Sequence, residues 1–194
     1  SPEQCKPFDA NRKGLNLGEG AGYVVLESED IVQKHNKIIL AELTGYANAN
    51  DAYHQTATSP DGDGLFLCMD KALNMAGLKA SDIGYLNTHG TATDNNDVTE
   101  SAAIKRIFGD NIPNFGSTKS FTGHTLGAAG GVESVISLLA LTRNMAFANL
   151  NFETPIPETG LIPQLKAEKV EMNHVMNNSF GFGGSDTTLI FSKV

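Results

Sequence analysis

Lys119 and His124 stand five residues apart on a glycine-punctuated turn, in the run Ser117-Thr118-Lys119-Ser120-Phe121-Thr122-Gly123-His124. An ammonium and an imidazole held together are good donors to a developing enolate or oxyanion. A second imidazole, His89, is followed by the hydroxyls of Thr91 and Thr93. A third segment, Phe180-Gly181-Phe182-Gly183-Gly184, offers a loop whose backbone N–H groups could join them. Glu133 lies within the apolar run 132–141 that follows the first turn. A carboxylate buried in such a run is costly unless a cation or strong donors meet it, and Lys119 is the candidate partner.

Taken singly, each feature has a plainer reading. A lone histidine after a strand usually satisfies a loop, Phe180 and Phe182 alone would be core aromatics, and Arg12 would pair with a carboxylate. The histidines do not match the spacing of a closed zinc site, so no metal centre is expected. No strand-turn-helix nucleophile elbow is present for a serine hydrolase. Gly18-Glu19-Gly20-Ala21-Gly22 precedes a strand pattern instead of following one, which excludes a dinucleotide loop.

The elements that must position these groups follow from periodicity. Residues 23–27 and 38–47 read as strands, 28–36 as a short helix, and 65–76 as an amphipathic helix stopped by Gly77. A short strand at 85–87 delivers His89. Residues 94–108 form the next helix, with Gly109 beyond its end, and 114–117 a brief strand leading to Lys119. In the run 132–141, Val132, Val135, Ile136 and Leu139 fall on one helical face and Leu138 and Leu141 on another, which predicts a buried helix. Residues 170–172 suggest an edge strand, and strands at 173–182 and 187–191 flank the glycine-rich loop. Asn48 to Gly64 is a long polar loop of the kind that usually has a function. Strands alternate with helices and two strands close the chain, so the fold class is α/β, a mixed sheet with helices on its faces, in one domain over residues 1–194.

The 194 residues, 40% hydrophobic and 19% charged, suit a globular domain. A net charge of −8 gives no electrostatic footprint for nucleic acid and argues against an anionic membrane surface. Cys5 and Cys68 make no disulfide framework, which favours a cytoplasmic setting. The opening residues lack an initiator methionine, and a piece of a longer protein is expected.

Several blocks together resemble the C-terminal half of an elongating β-ketoacyl-[acyl carrier protein] synthase, a condensing enzyme of thiolase-like fold. They are Pro7-Phe8-Asp9 with Arg12, Gly18-Glu19-Gly20-Ala21-Gly22, Asp51-Ala52-Tyr53-His54, and Asn87-Thr88-His89-Gly90-Thr91-Ala92-Thr93 with Asp97 and Glu100. The run from Ser117 through Gly130 and Asn178-Ser179-Phe180-Gly181-Phe182-Gly183-Gly184 complete the series, in the family's order. The resemblance implies decarboxylative condensation of malonyl-ACP with an acyl-enzyme thioester, in fatty acid or polyketide synthesis. It implies His89 and His124 as donors to the enolate and Lys119 and Glu133 as their charge network. Thr91, Thr93 and Thr56 would hold the phosphopantetheine arm. Gly181, Phe182 and Gly183 would form the oxyanion and gating loop. Asn87, Glu133, Asn177 and Asn178 fall where some relatives hold a structural monovalent cation. No cofactor is implied beyond the phosphopantetheine of acyl carrier protein. The expected partners are that carrier, the N-terminal half of the enzyme and a second copy in a homodimer.

Two departures stand out. The family's nucleophilic cysteine lies in the N-terminal half, and neither Cys5 nor Cys68 has a setting that would lower its pKa, so the chain alone is expected to be inactive. Ser185-Asp186 occupies positions where relatives usually carry Thr-Asn. An alternative is a non-condensing partner subunit of the chain-length-factor kind. A thiolase would need a cysteine near the C-terminus, and none is present.

Overall fold

The computed structural model describes residues 1–194. Its elements run α1 (Glu29–His35), β1 (Glu42–Asn50), α2 (Asp63–Ala76), β2 (Ile83–Asn87), α3 (Asp94–Phe108), β3 (Asn114–Gly116), α4 (Lys119–Thr122), α5 (Ala129–Arg143), β4 (Met145–Ala146), β5 (Glu168–Lys169), β6 (His174–Gly181) and β7 (Ser185–Ser192). Five strands form one sheet in the order β1-β7-β6-β2-β3. β2 is parallel to β3 and β6, while β7 is antiparallel to β1 and β6. The mixed sheet expected from the element order is therefore present.

Strand alternation divides the core in two. Leu86, Met176 and Ile190 point to the face covered by α2 and α3, where they pack with Met69, Ala72 and Ile104. Tyr85, Val175 and Phe191 point to the opposite face and meet Ala140 and Leu141 of α5. β2 is buried on both faces because it lies between two neighbours and beneath helices on either side. Its C-terminal end, with that of β3, is where the chain turns into the segments carrying His89 and Lys119.

Two expected strands are not formed as read. Residues 23–27 pair with nothing, and Tyr23, Val25 and Leu26 are 88%, 86% and 68% exposed. The second strand begins at Glu42, leaving Ile38 and Leu40 outside the sheet and exposed. A β pattern becomes a strand only when a neighbour satisfies its backbone groups, and no strand of this chain pairs with these. The helix at 132–141 is present as α5 but is not buried all round: Val135, Ile136 and Leu138 are half-buried and Leu139 is exposed. That flank and residues 23–27 and 37–43 line an open apolar groove of about 800 Å3. The small residues at the start of α5 do admit another backbone. A Cβ on Gly22 would lie 2.5 Å from the Gly131 carbonyl carbon, so only glycine fits that crossing. The edge pair forms at Glu168–Lys169 against Met145–Ala146, just before the expected 170–172.

Candidate active site

His89 sits on the turn after β2, and the turn is held from α3. Glu100, fully buried, accepts the backbone N–H groups of His89 (2.9 Å) and Gly90 (2.8 Å). Asp97, one helical turn earlier and also buried, accepts those of Phe8 (2.7 Å) and Ala92 (3.1 Å). Burial pushes the Glu100 carboxyl up to about 8 against the pull of its two N–H donors. Ser117, following β3, bonds the Gly90 carbonyl at 2.7 Å and so ties this turn to the segment carrying Lys119.

Lys119 opens α4 and is 1% exposed. Its ammonium forms an ion pair with Glu133 of α5 and donates to the His89 carbonyl oxygen at 2.6 Å. It also lies 3.2 Å from His89 Nδ1. An ammonium has only donors, so Nδ1 is the acceptor and the His89 proton resides on Nε2. Burial, then Lys119, then His124 hold the His89 pKa well below its usual range. His124 reaches the same tautomer by another route, since the Leu126 N–H donates to its Nδ1 at 3.2 Å. Burial and Lys119 lower its pKa to about 4. The two rings meet edge to face with centroids 5.3 Å apart. The result is a pair of neutral imidazoles, each keeping an Nε2–H to donate. A cavity of about 440 Å3 opens beside His89, walled by Gly130, Gly131, Asn177, Phe180 and Gly181.

His89, His124, Lys119 and Glu133 are thus brought together. Thr91 and Thr93 lie on the same turn with their hydroxyls 2.9 Å apart. Thr56 is exposed on the loop after β1, its N–H bonded to His54 Nδ1. Gly181, Phe182 and Gly183 form the tip of the β6–β7 hairpin, and Phe182 is 83% exposed. The aromatic against His89 is Phe180, at a centroid distance of 5.1 Å. Taken alone in the sequence, Phe180 reads as core. Glu100 and Asp97 carry no role in the sequence reading, although their spacing of three inside a helix that opens beside His89 was a usable signal.

The four residues proposed for a cation do not share one face. Asn87 Nδ2 donates to Asn177 Oδ1 at 2.8 Å on the α5 side of the sheet. Asn178 faces the other way, accepting from Thr188 Oγ1 at 2.8 Å and approaching Met69 of α2. Adjacent strand residues point to opposite faces, so the Asn178 side chain is turned away from those of Asn87 and Asn177. Asn87 Oδ1, Glu133 Oε2 and Ser137 Oγ are buried oxygens with no hydrogen-bond partner.

Neither thiol suits a nucleophile. Cys5 and Cys68 are both buried, and burial raises the Cys5 pKa to about 11 and that of Cys68 in the same direction.

The family described as beta-ketoacyl synthase, C-terminal domain, matches residues 40–153. The 3-oxoacyl-[acyl-carrier-protein] synthase 2 of Rhizobium meliloti (strain 1021) is 45% identical over 198 residues, covering 100% of this chain and 47% of that protein. A solved type II polyketide ketosynthase, in complex with its acyl-carrier protein, superposes with a TM-score of 0.93 at 34% identity, over 98% of this chain and 48% of its own. The ishigamide ketosynthase/chain length factor gives 0.94 at 35% identity, over 100% and 48%. The chain spans about half the length of the proteins it matches. It belongs to the β-ketoacyl synthase family, and corresponds to the C-terminal half of the fold.

Proposed function

We propose that the complete protein is an elongating β-ketoacyl-[acyl carrier protein] synthase and that this chain supplies its decarboxylation site. The observation that carries the reading is the pair of neutral Nε2–H donors, His89 and His124, held in that state by Lys119 and the Leu126 amide. A malonyl thioester placed with its carbonyl oxygen between the two donors would lose CO2. The electrons of the broken C–C bond would pass into the thioester carbonyl, giving an enolate whose oxygen both imidazoles stabilise. The enolate carbon would then attack an acyl thioester on a cysteine and expel the thiolate. That cysteine would lie outside these 194 residues, since Cys5 and Cys68 are buried with raised pKa values. The chain alone would therefore not condense.

The proposed partners follow from the same reading. An N-terminal half would cover the apolar groove between residues 23–43 and α5. Acyl carrier protein would deliver both substrates, its phosphopantetheine passing Thr91 and Thr93. A second copy would complete a homodimer. No cofactor enters the scheme.

His89→Ala and His124→Ala in the complete protein should each abolish malonyl decarboxylation. Full activity in both variants would sink the assignment. Similarity to a ketosynthase/chain length factor structure supports a second reading, a non-condensing partner subunit. The residue at the nucleophile position of the complete protein separates the two, because Gln or Gly there is incompatible with an acyl-enzyme.

A further inference from the structure

Asp186, near the start of β7, is 1% exposed, and neither carboxylate oxygen has a hydrogen-bond partner. An ionised carboxylate in that state is among the costliest groups a fold can hold. Asp51, just beyond β1, is its charged neighbour. Both side chains flank Gly64 in the first turn of α2: a Cβ there would lie 2.2 Å from Asp186 Oδ2 and 2.7 Å from Asp51 Cβ. Burial and the Asp51 charge push Asp186 up to about 7.

No cation offsets this. From α2 the facing titratable group is the Cys68 thiol, whose own pKa is raised by burial and by Asp186. Asp63 on that helix is exposed and paired with Arg106. β1 presents Ala49 and β6 presents Phe180 opposite Asp186. Tyr53 and His54, on the loop after β1, are exposed.

Asp51 also organises the contact between two loops. Its carboxylate accepts the N–H groups of Tyr53 (3.2 Å) and Ser59 (2.8 Å), shaping residues 51–59. Its own N–H donates to the Gly184 carbonyl at 3.2 Å. Asn50 Nδ2 bonds the Gly183 carbonyl at 2.8 Å, and the Gly183 N–H bonds the Gln55 carbonyl at 2.8 Å. Gly184 has φ 75°, and a Cβ there would lie 2.3 Å from Asp51 Oδ1.

We propose that Asp186 is held beside the Asp51 carboxylate as a neutral acid, and that this contact latches the 181–184 loop, with Phe182 at its tip, onto the 51–59 loop. A protonated Asp186 has an O–H to donate and carries no charge; once it ionises, a buried carboxylate faces the half-buried carboxylate of Asp51 with no cation between them. The docked arrangement then loses stability relative to an open loop, in which Asp186 would titrate in the ordinary carboxylate range. That loss accumulates between the two pKa values, from about pH 4 to about pH 7, and is complete above them. The consequence for catalysis, a loop beside the His89 cavity that opens more readily at neutral than at acid pH, rests on the ketosynthase reading; the pair itself does not.

The test uses the complete protein. Carbon-13 NMR of the aspartate carboxyls should find Asp186 titrating near pH 7, and Asp51→Asn should return it toward the ordinary range. Asp186→Asn is isosteric and uncharged. Its Tm should exceed that of the wild type by a margin that widens by about 3 °C or more between pH 5 and pH 7 and then levels. An Asp186 midpoint near 4, or a Tm margin unchanged with pH, overturns the latch. Neither readout uses turnover, so failure of the condensing reading in a decarboxylation assay is a separate result.

Discussion

The Lys119 ammonium touches His89 twice, at the ring nitrogen Nδ1 (3.2 Å) and at the residue's own carbonyl oxygen (2.6 Å). One cation therefore fixes both the ring's tautomer and the backbone that carries it, while Glu133 balances its charge. Removing one member of a buried ion pair leaves an uncompensated charge, which costs about 3–5 kcal/mol. Lys119→Met should lower stability by that order, measured by urea unfolding of the complete protein. The double variant Lys119→Met, Glu133→Gln should recover a substantial part of the loss, because no buried charge is then stranded. Equal destabilisation in single and double variants would show that the pair is not coupled.

The same cation sets the pH range of the site. Lys119 contributes to the lowered pKa of both histidines, with His124 at about 4. The imidazoles should thus remain neutral donors throughout pH 5–8, and the acid limb of malonyl decarboxylation should fall near pH 4. In Lys119→Met the repulsion that disfavours imidazolium is gone, and the limb should move upward toward the ordinary histidine range near 6.5. A wild-type limb already at 6.5 would mean that the donors are not held neutral as described.

Glu100 supports the other side of His89. Its carboxyl retains a proton up to about pH 8 in the folded chain and to about 4.5 when unfolded. The folded state binds more protons across that interval, so stability falls as pH rises through it, by up to about 1.4 kcal/mol per pH unit. Glu100→Gln removes the titration and should flatten that slope. It should also lower kcat, since Gln can accept only one of the two N–H bonds that orient His89 and Gly90. An unchanged slope in the variant would assign the pH dependence elsewhere.

Helix α3 was legible to its bounds because its start beside Thr93 and Asp94 and its stop at Gly109 are local signals. The Lys119–Glu133 pair was legible because a carboxylate in an apolar helix demands a cation. Residues 23–27 misled because strand pairing is a property of two segments, and the pattern is visible in one. Asn177 and Asn178 are grouped by the family resemblance, although the period of two in a strand sends their side chains to opposite faces. Phe180 was passed over because nothing local in a strand says which ring will meet His89. Asp186 stands out as an unusual residue, but its neighbour Asp51 lies far along the chain.

The apolar groove yields the last prediction. Tyr23, Val25 and Ile38 are each more than four-fifths exposed, and they continue the half-buried flank of α5. A contiguous apolar surface of this kind marks an interface, and residues 23–27 also present unpaired backbone groups in a β-type sequence, ready to accept a neighbour. The isolated 194-residue chain should therefore self-associate in sizing experiments and bind a hydrophobic dye. Val25→Lys with Ile38→Lys should reduce both effects, because charged side chains on an edge discourage pairing. Co-expression with the rest of the complete protein should suppress them without any substitution, by covering the same surface. A monomeric, monodisperse chain with no dye binding would count against a large missing interface, and with it against a second half packed on this one.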